Sequence, residues 1–123
     1  MAKRAGFGAT AFVLAVPDAE ITAAWWIGAM GFERVFEAPG FVFVRRGACM
    51  LRLGSCPDAL APSDLGDHGY FGYVMVTSVD QLYREISSAN VDVISPPTDR
   101  PWGIREMGVR TPDGHRVMFA QEL

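Results

Sequence analysis

The histidines, cysteines and acidic side chains of this chain do not combine into a known metal-binding or catalytic motif. Cys49 and Cys56 are seven residues apart, which is not the CxxC spacing of a zinc site, and His68 and His115 do not complete a zinc set. The sequence has no Ser/His/Asp arrangement, Walker loop or GxGxxG motif. An acid–base pair would need His115 or Glu106 near a polarised substrate atom, and the sequence shows no partner for either. We therefore predict no metal, no cofactor and no catalytic residue.

A second group of side chains has chemistry suited to holding a ligand. Trp102 lies between Pro101 and Gly103 in a predicted loop. Its ring could be a stacking platform for a planar ligand or a lid over the local core. Arg105 and Glu106 follow on a predicted strand and point to opposite faces, so whichever faces inward would orient the ligand. These side chains are candidates for a binding site.

Other aromatic side chains have a structural alternative that competes with ligand binding. Trp25 and Trp26 are neighbours on a predicted helix and point about 100° apart. We expect one of them in the core and the other at the cleft or at a subunit interface, and we take Trp26 as the ligand-binding candidate. Phe41 and Phe43 have the period-two spacing of a strand and are expected in the core.

The elements that must position these side chains occur twice in the same order. Residues from about 10 to 56 read as a strand, a Pro/Asp turn, a helix, a Gly-Phe pair and three short strands. A linker over residues 57–69, rich in Pro, Gly, Asp and Ser, precedes a second such series over residues 70–123. A period of roughly 60 residues is longer than that of solenoid repeats and indicates two modules. The sequence predicts one α+β domain over residues 1–123.

Several local signals set the bounds of these elements. Asp18 can cap a helix that runs from about Ala19 to Met30, and Gly31 ends it. In the second module, Pro96-Pro97 is expected to break a strand. The series Thr111-Pro112-Asp113-Gly114 predicts a hairpin turn, because Pro fixes its φ angle and Gly accepts a positive one.

Composition limits the classes of function and partner. The chain has 123 residues, of which 50% are hydrophobic and 20% charged, with a net charge of −3. This is the composition of a globular domain, and the acidic balance argues against nucleic acid as a partner. No stretch approaches the roughly 20 apolar residues of a membrane span. Two cysteines cannot build a disulfide framework, so we expect small, reduced side chains in a cytoplasmic protein without a membrane partner.

The order and spacing of several short motifs resemble the vicinal oxygen chelate superfamily, which includes glyoxalase I, extradiol dioxygenases and the bleomycin resistance proteins. These motifs are Val16-Pro17-Asp18, Trp25-Trp26, Gly31-Phe32-Glu33 and Thr111-Pro112-Asp113-Gly114-His115. The loop with Trp102, followed by Arg105-Glu106 and the hairpin, resembles the bleomycin resistance branch. The likeness covers the chain from about Thr10 to Glu122. It implies two βαβββ modules that form curved mixed sheets around a cleft, usually completed in a homodimer.

The resemblance also implies where a metal would be bound in the metal-dependent members, which hold a divalent ion on four His, Glu or Gln side chains. Those positions fall at Ala11, at Met50 or Arg52, near Phe71, and at Met118. None of these side chains is a credible ligand for a hard cation. A cleft lined by Phe71, Met50 and Met118 would bury an organic ring instead. Arg52, if it points inward, would suit a carboxylate or phenolate, whereas an exposed surface arginine is the alternative.

These observations favour metal-independent binding or sequestration of an aromatic small molecule, such as a drug or natural product, as in the bleomycin resistance proteins. The predicted ligand-binding residues are Trp102, Arg105, Glu106, Phe71, Met118, Met50, Arg52 and Trp26. One alternative is a small-molecule lyase, isomerase or dioxygenase of the same superfamily, which needs a converging polar pair or a different metal ligand set drawn from His68, His115, Glu106 and Glu122. A partner-binding module with no room for a ligand is the other alternative.

Overall fold

A computed structural model describes residues 4–66 and 69–123. Over these ranges the chain forms two α-helices, one 3₁₀-helix and eight strands, arranged as two successive βαβββ modules. This confirms the predicted α+β fold. Neither of the described α-helices has the length and apolar character needed to cross a bilayer. His68 lies outside the described residues.

The first module forms a four-stranded mixed sheet with one helix. It contains β1 (Ala11–Val16), α1 (Ala19–Gly28), β2 (Glu33–Ala38), β3 (Phe41–Arg46) and β4 (Cys49–Ser55). The strand order is β1-β4-β3-β2, with β1 parallel to β4 and the other pairs antiparallel. As predicted, Asp18 caps α1, because its carboxylate accepts hydrogen bonds from the backbone N–H groups of Glu20 and Ile21. Gly31, with a φ of 72°, follows the helix.

The second module repeats this topology. A 3₁₀-helix (Pro62–Leu65) precedes β5 (Tyr70–Met75), α2 (Val79–Ser87), β6 (Asp92–Arg100), β7 (Ile104–Arg110) and β8 (Arg116–Glu122). The strand order is β5-β8-β7-β6. The Ser78 hydroxyl caps α2 by accepting from the backbone N–H of Gln81 at 3.0 Å, and Asn90, with a φ of 57°, follows this helix as Gly31 follows α1. The two sheets therefore have the same strand order.

The prediction that Pro96-Pro97 breaks its strand is wrong. β6 runs through both prolines and ends at Arg100. Its pairing with β7 shifts register between Val93 and Ser95, and again between Ser95 and Thr98. The prolines, which have no N–H to donate, therefore lie where the ladder is interrupted. β6 is also an edge strand, where prolines are tolerated.

Each helix covers one face of its own sheet and leaves the other face open. The buried strand residues beneath α1 alternate along the chain with residues on the opposite side, and the same holds beneath α2. The larger members of this core are Leu14, Val16, Trp26, Val42, Val44, Leu51 and Leu53 in the first module, and Val79, Leu82, Ile86, Met107, Val109, Val117 and Phe119 in the second. The intervening residues are therefore available for other contacts.

The two sheets meet at their edge strands β1 and β5 through side-chain packing. The ring centroids of Phe12 and Phe71 are 5.6 Å apart, and those of Trp26 and Phe71 are 6.3 Å apart. Gly72 allows this approach, because a Cβ atom at that position would lie 3.0 Å from the Phe12 ring. The hydrophobic core is thus continuous between the modules.

Candidate functional site

Open face A is the side of the first sheet that points away from α1, and it consists of Val13, Phe36, Phe41, Phe43 and Arg52. One row of cross-strand partners crosses all four strands in the order Val13, Arg52, Phe43, Phe36. The three phenylalanine rings form a cluster with centroids 5.8, 5.9 and 6.5 Å apart. The Arg52 guanidinium carbon lies 4.8 Å from the centroid of Phe41, which is cation–π geometry.

The sequence of β3 explains why these rings are not in the core. Val42 and Val44 are buried beneath α1, so Phe41 and Phe43 must point to the opposite side. The expectation that Phe41 and Phe43 lie in the core is therefore wrong. Phe36 beside them is 58% exposed. Phe41 and Phe43 are half-buried. A cluster of aromatic side chains on a face that no helix covers indicates a binding surface.

Open face B is the corresponding side of the second sheet, and it consists of Tyr70, Tyr73, Glu106 and Met118. The Glu106 carboxylate accepts hydrogen bonds from the Tyr73 hydroxyl at 2.8 Å and from Nε of Arg100 at 3.0 Å. Glu106 is only 8% exposed, so this polar cluster is held in one arrangement. Met118 is the cross-strand partner of Tyr73 and adds an apolar neighbour. Face B thus presents a fixed acid where face A presents a cation.

The environment of Tyr73 also affects its protonation. Partial burial raises the pKa of Tyr73, and the neighbouring Glu106 carboxylate raises it further, because it accepts the hydroxyl proton and repels the tyrosinate. The phenol of Tyr73 therefore keeps its proton at neutral pH and donates a hydrogen bond to Glu106.

We predict that Glu106→Gln lowers the pKa of Tyr73 toward that of an ordinary tyrosine, because a neutral amide does not repel the tyrosinate. In the unchanged protein, the raised pKa of Tyr73 adds to the free energy of unfolding, and this addition is complete below about pH 10, the pKa of tyrosine in the unfolded chain. The addition is lost as the pH rises through the higher pKa that Tyr73 has in the folded protein. The tyrosinate absorbance, followed against pH and assigned with Tyr73→Phe, measures the shift. Glu85→Gln is the control, and an unchanged transition in the Glu106 variant would contradict the prediction.

Four of the sequence-predicted site residues lie on the open faces. Arg52 and Met50, two residues apart on β4, lie on the face A side, and Glu106 and Met118 lie on face B. Met50 also borders a pocket between the modules. Trp102 is 67% exposed in the β6–β7 turn, so it is not a lid over the local core.

The other three predicted site residues do not reach either open face. Trp26 is 1% exposed and packs in the core, and Phe71 is half-buried against it at the module junction. Arg105 points to the α2 side, where it donates to Asp80 at 2.8 Å and to Asp99 at 2.6 Å. Its hydrogen bonds and positive charge lower the pKa of Asp99. Arg105 and Glu106 do point to opposite faces, as expected from their adjacency on a strand.

Reasoning from the sequence missed Phe36 and Tyr73 as site residues. The signal for the face A cluster was the series Phe-Val-Phe-Val in β3, where both faces carry large apolar side chains although one helix can cover only one of them. Tyr73 was missed because β5 has an irregular register between Tyr70 and Gly72. This irregularity turns Phe71 toward the junction and leaves Tyr73 on the open face.

The divalent ion of the metal-dependent family members does not fit the side chains at the corresponding positions. Ala11 and Met50 face each other across β1 and β4, and Tyr73 faces Met118 across β5 and β8. Among the described residues, no group of three or more His, Cys, Asp and Glu side chains could hold a metal ion. Nε2 of His115 lies 3.1 Å from the carbonyl oxygen of Ala15. We therefore derive no metal-dependent step for this chain.

Comparison with known proteins places this fold in a family. Residues 8–119 match the model of the Glyoxalase/Bleomycin resistance protein/Dioxygenase superfamily. The bleomycin-binding protein from Streptomyces verticillus, solved in complex with copper(II)-bleomycin, is 27% identical with a TM-score of 0.75, and the match covers 94% of this chain and 97% of that one. No protein with a curated function matches this chain significantly.

Two further structures share the fold at lower identity. TioX from Micromonospora sp. ML1 is 23% identical with a TM-score of 0.76, covering 95% of this chain and 100% of that one. A lactoylglutathione lyase from Agrobacterium tumefaciens is 22% identical with a TM-score of 0.69, covering 96% of both chains. The family match over most of the chain and the paired βαβββ modules agree, and this chain belongs to the Glyoxalase/Bleomycin resistance protein/Dioxygenase superfamily.

Proposed function

We propose that this protein binds and sequesters an aromatic small molecule, of the drug or natural-product class, without a metal ion. The observation that carries the proposal is the phenylalanine cluster around Arg52 on open face A, which α1 does not cover. A planar ring can stack on Phe41 and Phe43, and a carboxylate or phenolate on that ring can pair with the guanidinium. The structural neighbour solved with copper(II)-bleomycin supports a ligand-binding role for this fold.

We propose further that the complete site needs two copies of the chain. Open face A is one wall, whereas drug-sized ligands are commonly buried over about 70–90% of their surface. A two-fold axis that sets face A of one chain opposite face B of its partner would create two identical clefts. In such a cleft, Arg52 would meet the acidic group of the ligand, and Glu106 of the facing sheet would accept a hydrogen bond from a donor group. Exposed Trp102 lies on the second module and could cover the ring.

Titration with candidate ligands tests the binding proposal, and the mass of the protein in solution tests the two-chain site. Calorimetric or fluorescence titration with glycopeptide, mitomycin-like and polyaromatic compounds is expected to identify at least one ligand. Light scattering is expected to give twice the chain mass of 13.4 kDa. Failure of the whole panel to bind below millimolar concentration would count against ligand binding. A monomeric mass with ligand bound would count against the two-chain site only.

A metal-free isomerase or lyase is the second candidate function, and the Tyr73–Glu106 pair favours it. A carboxylate that accepts a hydrogen bond from a phenol can take a proton from a bound substrate while the phenol returns one at a neighbouring atom. In an enzyme, Tyr73→Phe and Glu106→Gln would abolish turnover of a bound compound but leave its affinity within a few-fold. In a sequestering protein, the bound compound would be recovered unchanged from every variant.

A further inference from the structure

A pocket of about 650 Å³ lies between the two modules, where the start of β1 and β4 faces the end of β5 and α2. Its walls are mainly apolar and include Phe12, Met30, Phe32, Val74 and Phe119. The volume lies within the range of about 300–1,000 Å³ that is usual for small-molecule sites. We infer that this intermodule pocket is a second binding site, for a neutral and mainly apolar small molecule.

The internal repeat explains why the pocket is open, because the equivalent region of the other module is filled. Trp26, Phe71 and His115 form a cluster there, with centroids 6.3 Å apart for Trp26–Phe71 and 6.0 Å for Phe71–His115. Counted from the two helix caps, the counterpart of Trp26 is Ile86. Phe71 lies at the register shift of β5 and has no counterpart in β1, where the pairing with β4 is continuous. Met118 and Arg52 have equivalent places in the two sheets. His115 lies three residues before Met118 and Cys49 three residues before Arg52, so Cys49 is the counterpart of His115.

Both of these counterparts are smaller than the residues that they replace, and the ring of Phe71 has no equivalent. The filled region therefore holds two large aromatic rings and an imidazole, whereas the equivalent region has a branched aliphatic side chain and a thiol. Cys49 itself lines the pocket. An apolar space left by smaller side chains can take up an apolar ligand, since its walls are mainly apolar.

The charges at the edge of the pocket indicate that the ligand is neutral. Nη2 of Arg46 donates to Glu85 at 2.8 Å, and its Nη1 donates to the backbone carbonyl of Met30 at 3.0 Å. Both formal charges therefore already have partners. A charged ligand would have to break this pair or remain unpaired in an apolar space, which is costly.

The pocket meets the cleft of the proposed function only at its edge. Tyr73 and Met50 border both, but Arg52, Glu106 and Met118 lie outside the described lining of the pocket. The inference therefore does not depend on the proposed function, and the two can fail independently.

The two cysteines provide a test with an internal control. Cys49 lines the pocket and is half-buried, whereas Cys56 is exposed outside it. The probe is the neutral fluorophore N-phenyl-1-naphthylamine, and the thiols are alkylated with N-ethylmaleimide with and without it. Trypsin cleaves after Arg52, so mass spectrometry follows the two thiols on separate peptides.

At about ten times its Kd, the probe is expected to slow alkylation of Cys49 about tenfold by occupying the site. The rate at Cys56 is expected not to change. Ala48→Phe adds a ring at an exposed position of the pocket edge and is expected to abolish probe binding, while Ala59→Phe, an exposed position outside the pocket, is the matched control. Circular dichroism checks that both variants fold.

Three results would overturn the inference. The first is an unchanged Cys49 rate at saturating probe, and the second is equal slowing at both cysteines. The third is loss of probe binding in Arg52→Ala with retention in Ala48→Phe, which would place the probe on open face A instead.

Discussion

Replacing Trp26 with alanine is expected to lower the free energy of unfolding by about 3–5 kcal/mol, the range for deleting a buried large aromatic side chain. Trp26 is 1% exposed and packs against Trp25, Phe32 and Phe71. The contact with Phe71 joins the modules, so the cavity would open at their junction. Because domains of this size have a total stability of about 5–15 kcal/mol, we expect a large loss of folded protein at elevated temperature.

Trp26→Phe is the matched control for this prediction. The buried indole N–H of Trp26 has no hydrogen-bond partner among the described residues, so phenylalanine removes an unsatisfied donor while it keeps an aromatic ring. We expect a clearly smaller loss than for alanine. Urea unfolding, followed by circular dichroism, measures both variants. Equal losses for the two substitutions would show that ring packing is not the main contribution of Trp26.

Arg52→Ala is expected to weaken binding of an acidic aromatic ligand about 10- to 100-fold. The basis is the loss of a charge-assisted hydrogen bond, which contributes about 1.5–3 kcal/mol. Arg52→Lys keeps the charge but loses the planar guanidinium that stacks on Phe41, so an intermediate affinity is expected. Titration with the best compound of the panel measures all three proteins.

Arg34→Ala is the control for the general effect of removing a positive charge. Arg34 is paired with Glu20 of α1 at 2.7 Å, on the helix side of the first sheet, and we expect its removal to change affinity by less than about twofold, as for a surface ion pair. If Arg34→Ala weakens binding as much as Arg52→Ala, the effect comes from net charge and not from face A. If neither variant changes affinity, the ligand does not use Arg52.

Local sequence signals were sufficient to predict most of the fold. Asp18 indicated the start of α1 and the series ending in Gly114 a turn, because each depends on the chemistry of a few neighbouring residues. The end of α1 was predicted too late, since the helix ends at Gly28 and not at Met30. The error at Pro96-Pro97 is of a different kind. An edge strand with a shifted register can include prolines, and the pairing of β6 with β7 cannot be read from the local sequence.

The candidate site was predictable only in part, because it depends on which side of each strand is covered. The sequence showed that Arg105 and Glu106 point to opposite sides, but α2 decides which of them is on the open face. In β5, one irregularity moves Phe71 to the junction and leaves Tyr73 on face B. These outcomes depend on tertiary packing and not on residue type.

The two sheets are separate, with backbone ladders inside each module and side-chain packing between them. A substitution on the open face of one sheet therefore changes that face without changing the strand register of the other sheet. Each half can therefore carry its own chemistry under weak mutual constraint. The arginine-centred wall of one half and the glutamate-centred wall of the other are an example of this independence.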